Sequence, residues 1–583
     1  MATVDEVAPS LDRVQALLAR FGLDRVHVAV FEIVVVALVA RLYDLGGRVA
    51  HWDEARVAYW TLDFIETGAF EYRPIIHGPF YHHVNKLLFG VVGASDASMR
   101  LVVAVAGGLF PLVALLFRDR LRDLEVVALA FFLAFNPVLL YYSRFMRGDP
   151  LVAMFMFTAF ALFVRAFDTR RVGYLHAGVV FTALGFTVKE NALLYLVCWA
   201  GAGALVVDHR FLRRDGRGWE WPGALYDGVG RAWRLLRRRW LTPVVAAVEF
   251  LVVVVYFYAP RVGPGSESGV GLWRVLDDPT VAPAVGYAAT VGSWQDFWGL
   301  WIRGGHQDHS YIPYMGDFLL TMAYGALALS LLALVGFLAD RYTGDGPSTL
   351  VSACFYWGFA SVLGYPLVTD IMAPWAVVNA VVPLAVPAAV GLALVVRWGH
   401  RAVSRRDLVA AGITGFALVV VVGQIAAAGA VGTYLSPQSE SNELVQYAQP
   451  AGDIDPVMDL LAETAPGHEG TDVLLYGEYL VDGDEGPVPR EPACAKWFNS
   501  LPLPWYFSKA DADVTCAENA AGAGTVVSES QPVLVVVKAD QDTDVRPSLQ
   551  DYVQRTHRLR AWGTRTHFYV HQRYADRLPP AEG

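Results

Sequence analysis

Long uninterrupted apolar runs are the feature that most restricts what this chain can become. LVVAVAGGLFPLVALLF (101–117) and LVVVVYFYA (251–259) carry no charge, and a membrane span takes about 20 mostly apolar residues. In hydrocarbon the backbone N–H and C=O groups have no water to bond, so such runs become helices or closed barrels. Charged residues are only 17% of the 583 and hydrophobic ones 55%, against roughly 25% charged in an average soluble domain. This excludes an ordinary soluble enzyme and predicts a polytopic α-helical membrane protein. Eleven transmembrane helices are predicted near 26–45, 98–117, 124–142, 150–167, 173–188, 191–207, 241–259, 317–338, 350–368, 375–396 and 408–430.

Arginine placement predicts the orientation. RDRLRD (118–123), DTRR (168–171), the 208–240 segment with nine arginines, and RWGHRAVSRR (397–406) alternate so as to share one side, which the positive-inside bias makes the cytoplasm. Residues 1–25 are then a cytoplasmic N-terminus and 26–430 a membrane domain with outside loops at 46–97 and 260–316. Residues 431–583 form an acidic extracytoplasmic domain. Segment 224–240 reads equally as an amphipathic helix on the inner leaflet or as a solvated connector. Glu32 and Glu249, inside apolar runs, are expected to face other helices, because a lipid-facing carboxylate is costly.

From residue 440 onward there are 23 acids and 11 bases, leaving 33 acids and 35 bases before it. So acidic a tail excludes nucleic acid as a partner. With 41 arginines and only 5 lysines, it points to a salt-adapted, archaeal source. Within the tail, LVQYAQP, TDVLLYG, PVLVVVKA and HFYVHQR read as strands and PVMDLLAET and SLQDYVQRTH as helices, a small α/β domain. Cys494 and Cys516 are expected to form a disulfide if the tail is outside the cell. Cys198 and Cys354 read as buried thiols.

The candidates for chemistry cluster at the predicted outer ends of the spans. Asp53 and Glu54 open an amphipathic helical pattern, where they serve as capping acids or as a general base for an acceptor hydroxyl. HGPFYHH (77–83) holds His77, His82 and His83, which are metal ligands, phosphate donors or interfacial polar tips. SRFMRGDP supplies Arg144, Arg147 and Asp149; VKEN supplies Lys189 and Glu190; IRGGHQDH supplies Arg303, His306, Asp308 and His309. Cations on the outer side run against the positive-inside bias, and holding a lipid phosphate is one use for them. Pairing as Arg147–Asp149 and Lys189–Glu190 is the alternative.

The acidic pair after the first span, the Gly-Pro-Phe segment, LFGVVGASDASMRL, YYSRFMRGDP and TVKEN together resemble the GT-C superfamily of glycosyltransferases over about residues 26–400. The closer similarity is to an archaeal membrane family described as flippase-activity-associated in N-glycosylation, with a dolichyl-phosphate-mannose mannosyltransferase-like core. The resemblance implies an inverting enzyme that takes sugar from a polyprenyl-phosphate-linked donor and passes it to an acceptor glycan or glycoprotein at the outer face of the bilayer. It further implies Asp53 as catalytic base with Glu54 beside it, Arg144, Arg147 and Lys189 on the donor phosphate, and His77, Glu190 and His306 on substrate. No cofactor is certain, although a divalent metal is sometimes bound in that superfamily. A flippase or flippase-associated protein for lipid-linked sugars is the alternative function.

Overall fold

The computed structural model describes residues 23–74, 78–212, 230, 237, 239–263, 269–303, 309–343, 346–369, 371–481, 490–560 and 563–580. Every predicted span is helical: α1 (Arg25–Leu42), α4 (Asp96–Leu109, extended to Phe117 by a 3-10 stretch), α5 (Asp123–Phe135) with α6 (Pro137–Tyr142), α7 (Gly148–Thr169), α8 (Val172–Val188), α9 (Ala192–Leu212), α10 (Leu241–Tyr258), α11 (Tyr311–Tyr342), α12 (Thr349–Val368), α13 (Val378–Ser404) and α14 (Leu408–Ala430). Among the described residues, eight of these are long and apolar enough to cross a membrane. The other three predicted spans are α1, which carries Arg25, Glu32 and Arg41, the broken α5–α6 pair, and the short α8. Segment 224–240 lies largely outside the described residues.

The break between α5 and α6 follows from Asn136-Pro137. Proline ends the preceding helix, and the Asn136 carboxamide caps the next by accepting from the Val138 and Leu139 N–H groups at 3.1 and 3.4 Å. Its own N–H donates to the Gly325 carbonyl at 3.1 Å, beside the point where Ala326 leaves helical geometry and kinks α11. Each freed backbone group thus finds a partner, as hydrocarbon demands. α11 and α13 meet backbone to backbone. A Cβ on Gly336 would lie 1.9 Å from the Pro387 carbonyl oxygen, and one on Gly391 would lie 2.2 Å from that of Leu332, so only glycine permits the approach. α13 is the centre of the bundle, with 89% of its apolar stretch buried.

Of the two intramembrane acids, Glu249 on α10 meets His176 on α8 at 2.7 Å. Glu32 corrects the expectation. It is exposed on α1 beside exposed Phe31, Val35 and Val36, because that face of α1 has no neighbouring helix in a single chain.

Two further helices, α2 (Trp52–Thr67) and α3 (Phe80–Val92), lie between α1 and α4. The three long polar pieces pack together at one end of the bundle. Phe70 bridges to Arg261, the Trp301 indole donates to the Pro74 carbonyl at 2.6 Å, and the C-terminal unit rests on Ala50 and Asp96. The basic connectors pair separately, Arg120 with Asp168 and Arg397 with Glu125.

The C-terminal unit holds α15 (Asp455–Thr464), α16 (Leu503–Ala510), α17 (Ala520–Ser530) and a five-stranded sheet. The strands are β1 (Val473–Tyr476), β2 (Val514–Ala517), β3 (Leu534–Lys538), β4 (Tyr552–Arg558) and β5 (Arg565–His571), in the order β2-β1-β3-β5-β4. β2, β1 and β3 run parallel and β5 and β4 form an antiparallel edge. The disulfide joins Cys494 to Cys516 on β2. Two expectations fail. SLQDYVQRTH holds β4, since Tyr552, Val553 and Thr556 pair along β5 and cross-strand packing overrides a helical pattern. LVQYAQP forms turns instead of a strand, because the Gln446 and Gln449 side chains are spent on His51 and on the Val49 carbonyl.

The unit docks through Asp96. Its carboxylate accepts from the Trp505 indole at 2.8 Å and the Tyr506 hydroxyl at 2.7 Å, while that hydroxyl accepts from the Ala50 N–H at 2.9 Å. Asp455 lies 3.3 Å from the same hydroxyl. Burial first, then the Asp96 charge, pushes the Asp455 carboxyl up to about 7 from its ordinary 3.8. The folded state therefore holds a proton that the unfolded chain gives up. Stability falls as pH rises from about 4 to about 7, and Asp455→Asn should flatten that fall and raise the unfolding midpoint above neutral pH. Asp96→Ala should strand two buried donors, cost about 2–3 kcal/mol and open the 436–450 linker to limited proteolysis.

Candidate active site

The chain leaving α1 turns at His51, which begins α2. The His51 ring accepts the Asp53 N–H at Nδ1 (3.0 Å) and donates from Nε2 to the Gln446 side-chain oxygen (2.8 Å). These bonds assign the neutral Nε2–H tautomer, and burial, outweighing the pull of Asp53, brings the ring down to about 4. One position on, Glu54 is fully buried. It accepts from Arg48 Nη2 (2.9 Å), Arg100 Nε and Nη2 (2.9 Å each), and the backbone N–H groups of His51 (3.0 Å) and Met146 (2.8 Å). Burial alone would raise its carboxyl, yet Arg100 and Arg48 pull it down to about 2. Glu54 thus fixes the start of α2, and its lone pairs are directed into protein.

Asp53 faces the other way. Its side chain keeps 19% exposure and pairs with the Arg147 guanidinium, which lies 3.1 Å over the Trp375 ring and 3.4 Å from Asp149. Lys189 reaches the same Asp149 at 2.9 Å. Two carboxylates and two cations, from the start of α2, the start of α7 and the end of α8, therefore alternate in one chain of contacts. The Gly-Pro-Phe segment braces it. The Gly78 N–H donates to the Val188 carbonyl at 2.8 Å, a Cβ at Gly78 would lie 2.3 Å from the Thr187 carbonyl oxygen, and the Tyr81 hydroxyl donates to the Arg147 carbonyl at 2.7 Å.

Arg144 does not join this cluster. Its guanidinium donates to the carbonyls of Ala40, Arg41, Tyr43 and Asp44, satisfying the C-terminal end of α1. Glu190 is half-buried, its carboxyl raised by desolvation, and it is bonded to the Tyr72 hydroxyl, in place of the predicted ion pair with Lys189. His83 bonds the Phe257 carbonyl at 2.9 Å and anchors α3 to α10. His77, His306 and Asp308 lie outside the described residues. Among the described residues, no group of three His, Cys, Asp or Glu is arranged to hold a metal ion.

Two cavities lie next to residues that adjoin this cluster. One, of about 680 Å³, is lined by Arg56, Arg73 and Arg261 together with Asp63 and Glu71, and by Trp60, Tyr72 and His82 among others. Arg56 lies one helical turn beyond Asp53, and its guanidinium is brought down to about 10 by burial and by Arg490 and Arg73, against the attraction of Asp53. Three guanidinium groups face two carboxylates there, an excess of one positive charge. The other, of about 540 Å³, is lined by Tyr314, Asp317, Pro374, Glu443 and Tyr447 and adjoins Trp375 through Pro374. The sequence reading missed Arg48, His51, Arg56, Arg73, Arg100 and Trp375 as site-forming groups. Only Arg56 carried a signal, its three-residue spacing from Asp53.

Glu54→Gln should leave two buried guanidinium groups undercompensated and cost about 3–5 kcal/mol. Because the folded carboxyl is at about 2 against an ordinary 4.5, the wild-type advantage should be complete above pH 4.5. It should shrink as pH falls from 4.5 to about 2, readable as converging unfolding midpoints of the two proteins.

Residues 76–217 match the family model described as dolichyl-phosphate-mannose-protein mannosyltransferase. Residues 454–571 match that of the Agl23 flippase-associated protein C-terminal domain. No curated protein matches the sequence. The structure of ArnT from Cupriavidus metallidurans in the apo state is similar at 16% identity and a TM-score of 0.53, covering 94% of this chain and 99% of that one. The same protein bound to undecaprenyl phosphate gives 16% identity and a TM-score of 0.51, with the same coverage. The architecture is that of a GT-C membrane protein with a small mixed-sheet domain at its C-terminal end.

Proposed function

We propose that the protein is an inverting membrane glycosyltransferase that takes sugar from a polyprenyl (dolichyl) phosphate donor. The acceptor is a hydroxyl of a surface glycan or glycoprotein on the extracytoplasmic face, in archaeal-type glycosylation. The observation that carries this reading is the partly exposed Asp53 paired with Arg147, in contact with Asp149 and through it with Lys189, in a chain whose residues 76–217 match a mannosyltransferase family. Undecaprenyl phosphate bound to a protein of this fold supports the donor class.

Asp53 takes the proton of the acceptor hydroxyl as it attacks the anomeric carbon, and single displacement inverts that carbon. Arg147 turns from Asp53 to meet the departing phosphate, while Asp149, itself held by Lys189, keeps contact with the guanidinium. Arg56 and Arg73 receive the same phosphate from the cavity side. The neutral His51 and the buried Glu54 aim Asp53 and are positioning residues. The N-terminus is cytoplasmic and the C-terminal domain extracytoplasmic, as the arginine pattern requires.

The match of residues 454–571 to a flippase-associated domain favours a second reading, in which the same cations guide lipid-linked sugar across the bilayer. Purified protein in vesicles, given synthetic dolichyl-phosphate sugar and a glycan acceptor, separates the two. Asp53→Asn should lose at least about 100-fold in transfer with its unfolding midpoint kept. Undiminished transfer by that variant, or lipid translocation without any transfer, would overturn the enzyme.

A further inference from the structure

We infer that residues 272–302, in the segment between α10 and α11, form an in-plane element seated in the outer leaflet, with phospholipid acyl chains as its partner. The segment is a succession of short helical turns: 3-10 over Leu272–Leu276 and Pro279–Val281, α over Ala282–Tyr287 and Ser293–Phe297, and π over Ala288–Gly292 and Trp298–Ile302. Its large apolar residues Tyr287, Val291, Trp294, Trp298 and Ile302 recur at intervals of four, three, four and four, which places them on one helical stripe. All five are exposed, Trp294 at 47%, Trp298 at 41% and Ile302 at 55%.

The opposite stripe is spent inside the protein. Val285 and Ala289 are buried in a cluster with Phe64, Phe70, Tyr72 and Tyr258, against which Val254, Val255 and Phe257 of α10 pack. The segment therefore cannot roll over to hide its tryptophans.

The segment adjoins α10, a span apolar enough to cross a membrane, through Trp273 against Tyr256. It lies at the outer end of α10, where Leu251, Val252 and Tyr256 are exposed and only 6% of the span is buried inside the protein. Trp273 and Leu276, exposed at the start of the segment, extend it. Tryptophan and tyrosine concentrate at the level where headgroups meet acyl chains, and an element with one buried apolar face and one exposed aromatic face is what such a boundary holds.

The seat bears on the candidate site without depending on the transferase reading. Ala288 lines the 680 Å³ cavity, and Trp301 ties the segment to the 70–74 strip that lines the cavity beside it. Holding the segment at headgroup depth holds the cavity mouth there, where a lipid-borne phosphate lies.

Nitroxide labels at Trp294→Cys and Trp298→Cys, in full-length protein in phosphatidylcholine nanodiscs, test this by collision with oxygen and with a water-soluble nickel chelate. Val252→Cys on α10 is the lipid reference, Glu529→Cys on α17 the water reference, and the unsubstituted chain carries the background from Cys198 and Cys354. The oxygen-to-nickel ratio at 294 and 298 should exceed that at 529 several-fold and lie at or below that at 252, as expected nearer the headgroups. Val291→Cys and Ile302→Cys repeat the measurement with smaller changes of side chain should the tryptophan variants fold poorly. Nickel accessibility equal to that at 529 would overturn the inference. Spin–spin broadening showing a second copy of the chain over the stripe would overturn it as well.

Discussion

Glu54 is the interaction on which the polar end of the helix bundle depends. A carboxylate with no exposure would be untenable alone; here two guanidinium groups and two backbone N–H groups surround it. Those partners come from the turn after α1, from α4, from the start of α2 and from the 143–147 turn. One side chain therefore fixes the relative positions of four pieces of backbone. Asp53 owes its direction to its neighbour. With Glu54 locked inward and the Asp53 N–H held by His51, the Asp53 carboxylate is left facing Arg147.

Charge at this end of the bundle is arranged in two layers. The inner layer, Glu54 with Arg48 and Arg100, is buried and structural. The outer layer, Asp53, Arg147, Asp149 and Lys189, is balanced two against two and keeps part of its surface open. Within that set each carboxylate has a cationic partner, which offsets the cost of holding charge away from water.

The C-terminal unit joins this surface as part of it. Gln446 completes the His51 tautomer, and Tyr506 bonds Ala50, three residues before Asp53. Folding of the acidic tail and the shape of the candidate site are thus coupled through direct hydrogen bonds.

Apolar run length by itself determined where the helices lie, because hydrocarbon leaves no other use for such runs. Asp53, Arg147 and Lys189 were legible as charges at span ends, open to capping and pairing as much as to chemistry, and the structure brings the three together around Asp149. Which of two adjacent acids faces the site was not legible, since both suit a helix start equally and only distant Arg48 and Arg100 separate them. Arg144 and Arg147 were likewise alike in sequence; four carbonyls at the end of α1 claimed the first. Strand β4 was hidden because its pattern fits a helix until β5 lies alongside. The sequence settled which segments leave water, a property of each segment alone. The tertiary structure settled which charge answers which, because that depends on residues tens to hundreds of positions apart meeting within 3 Å.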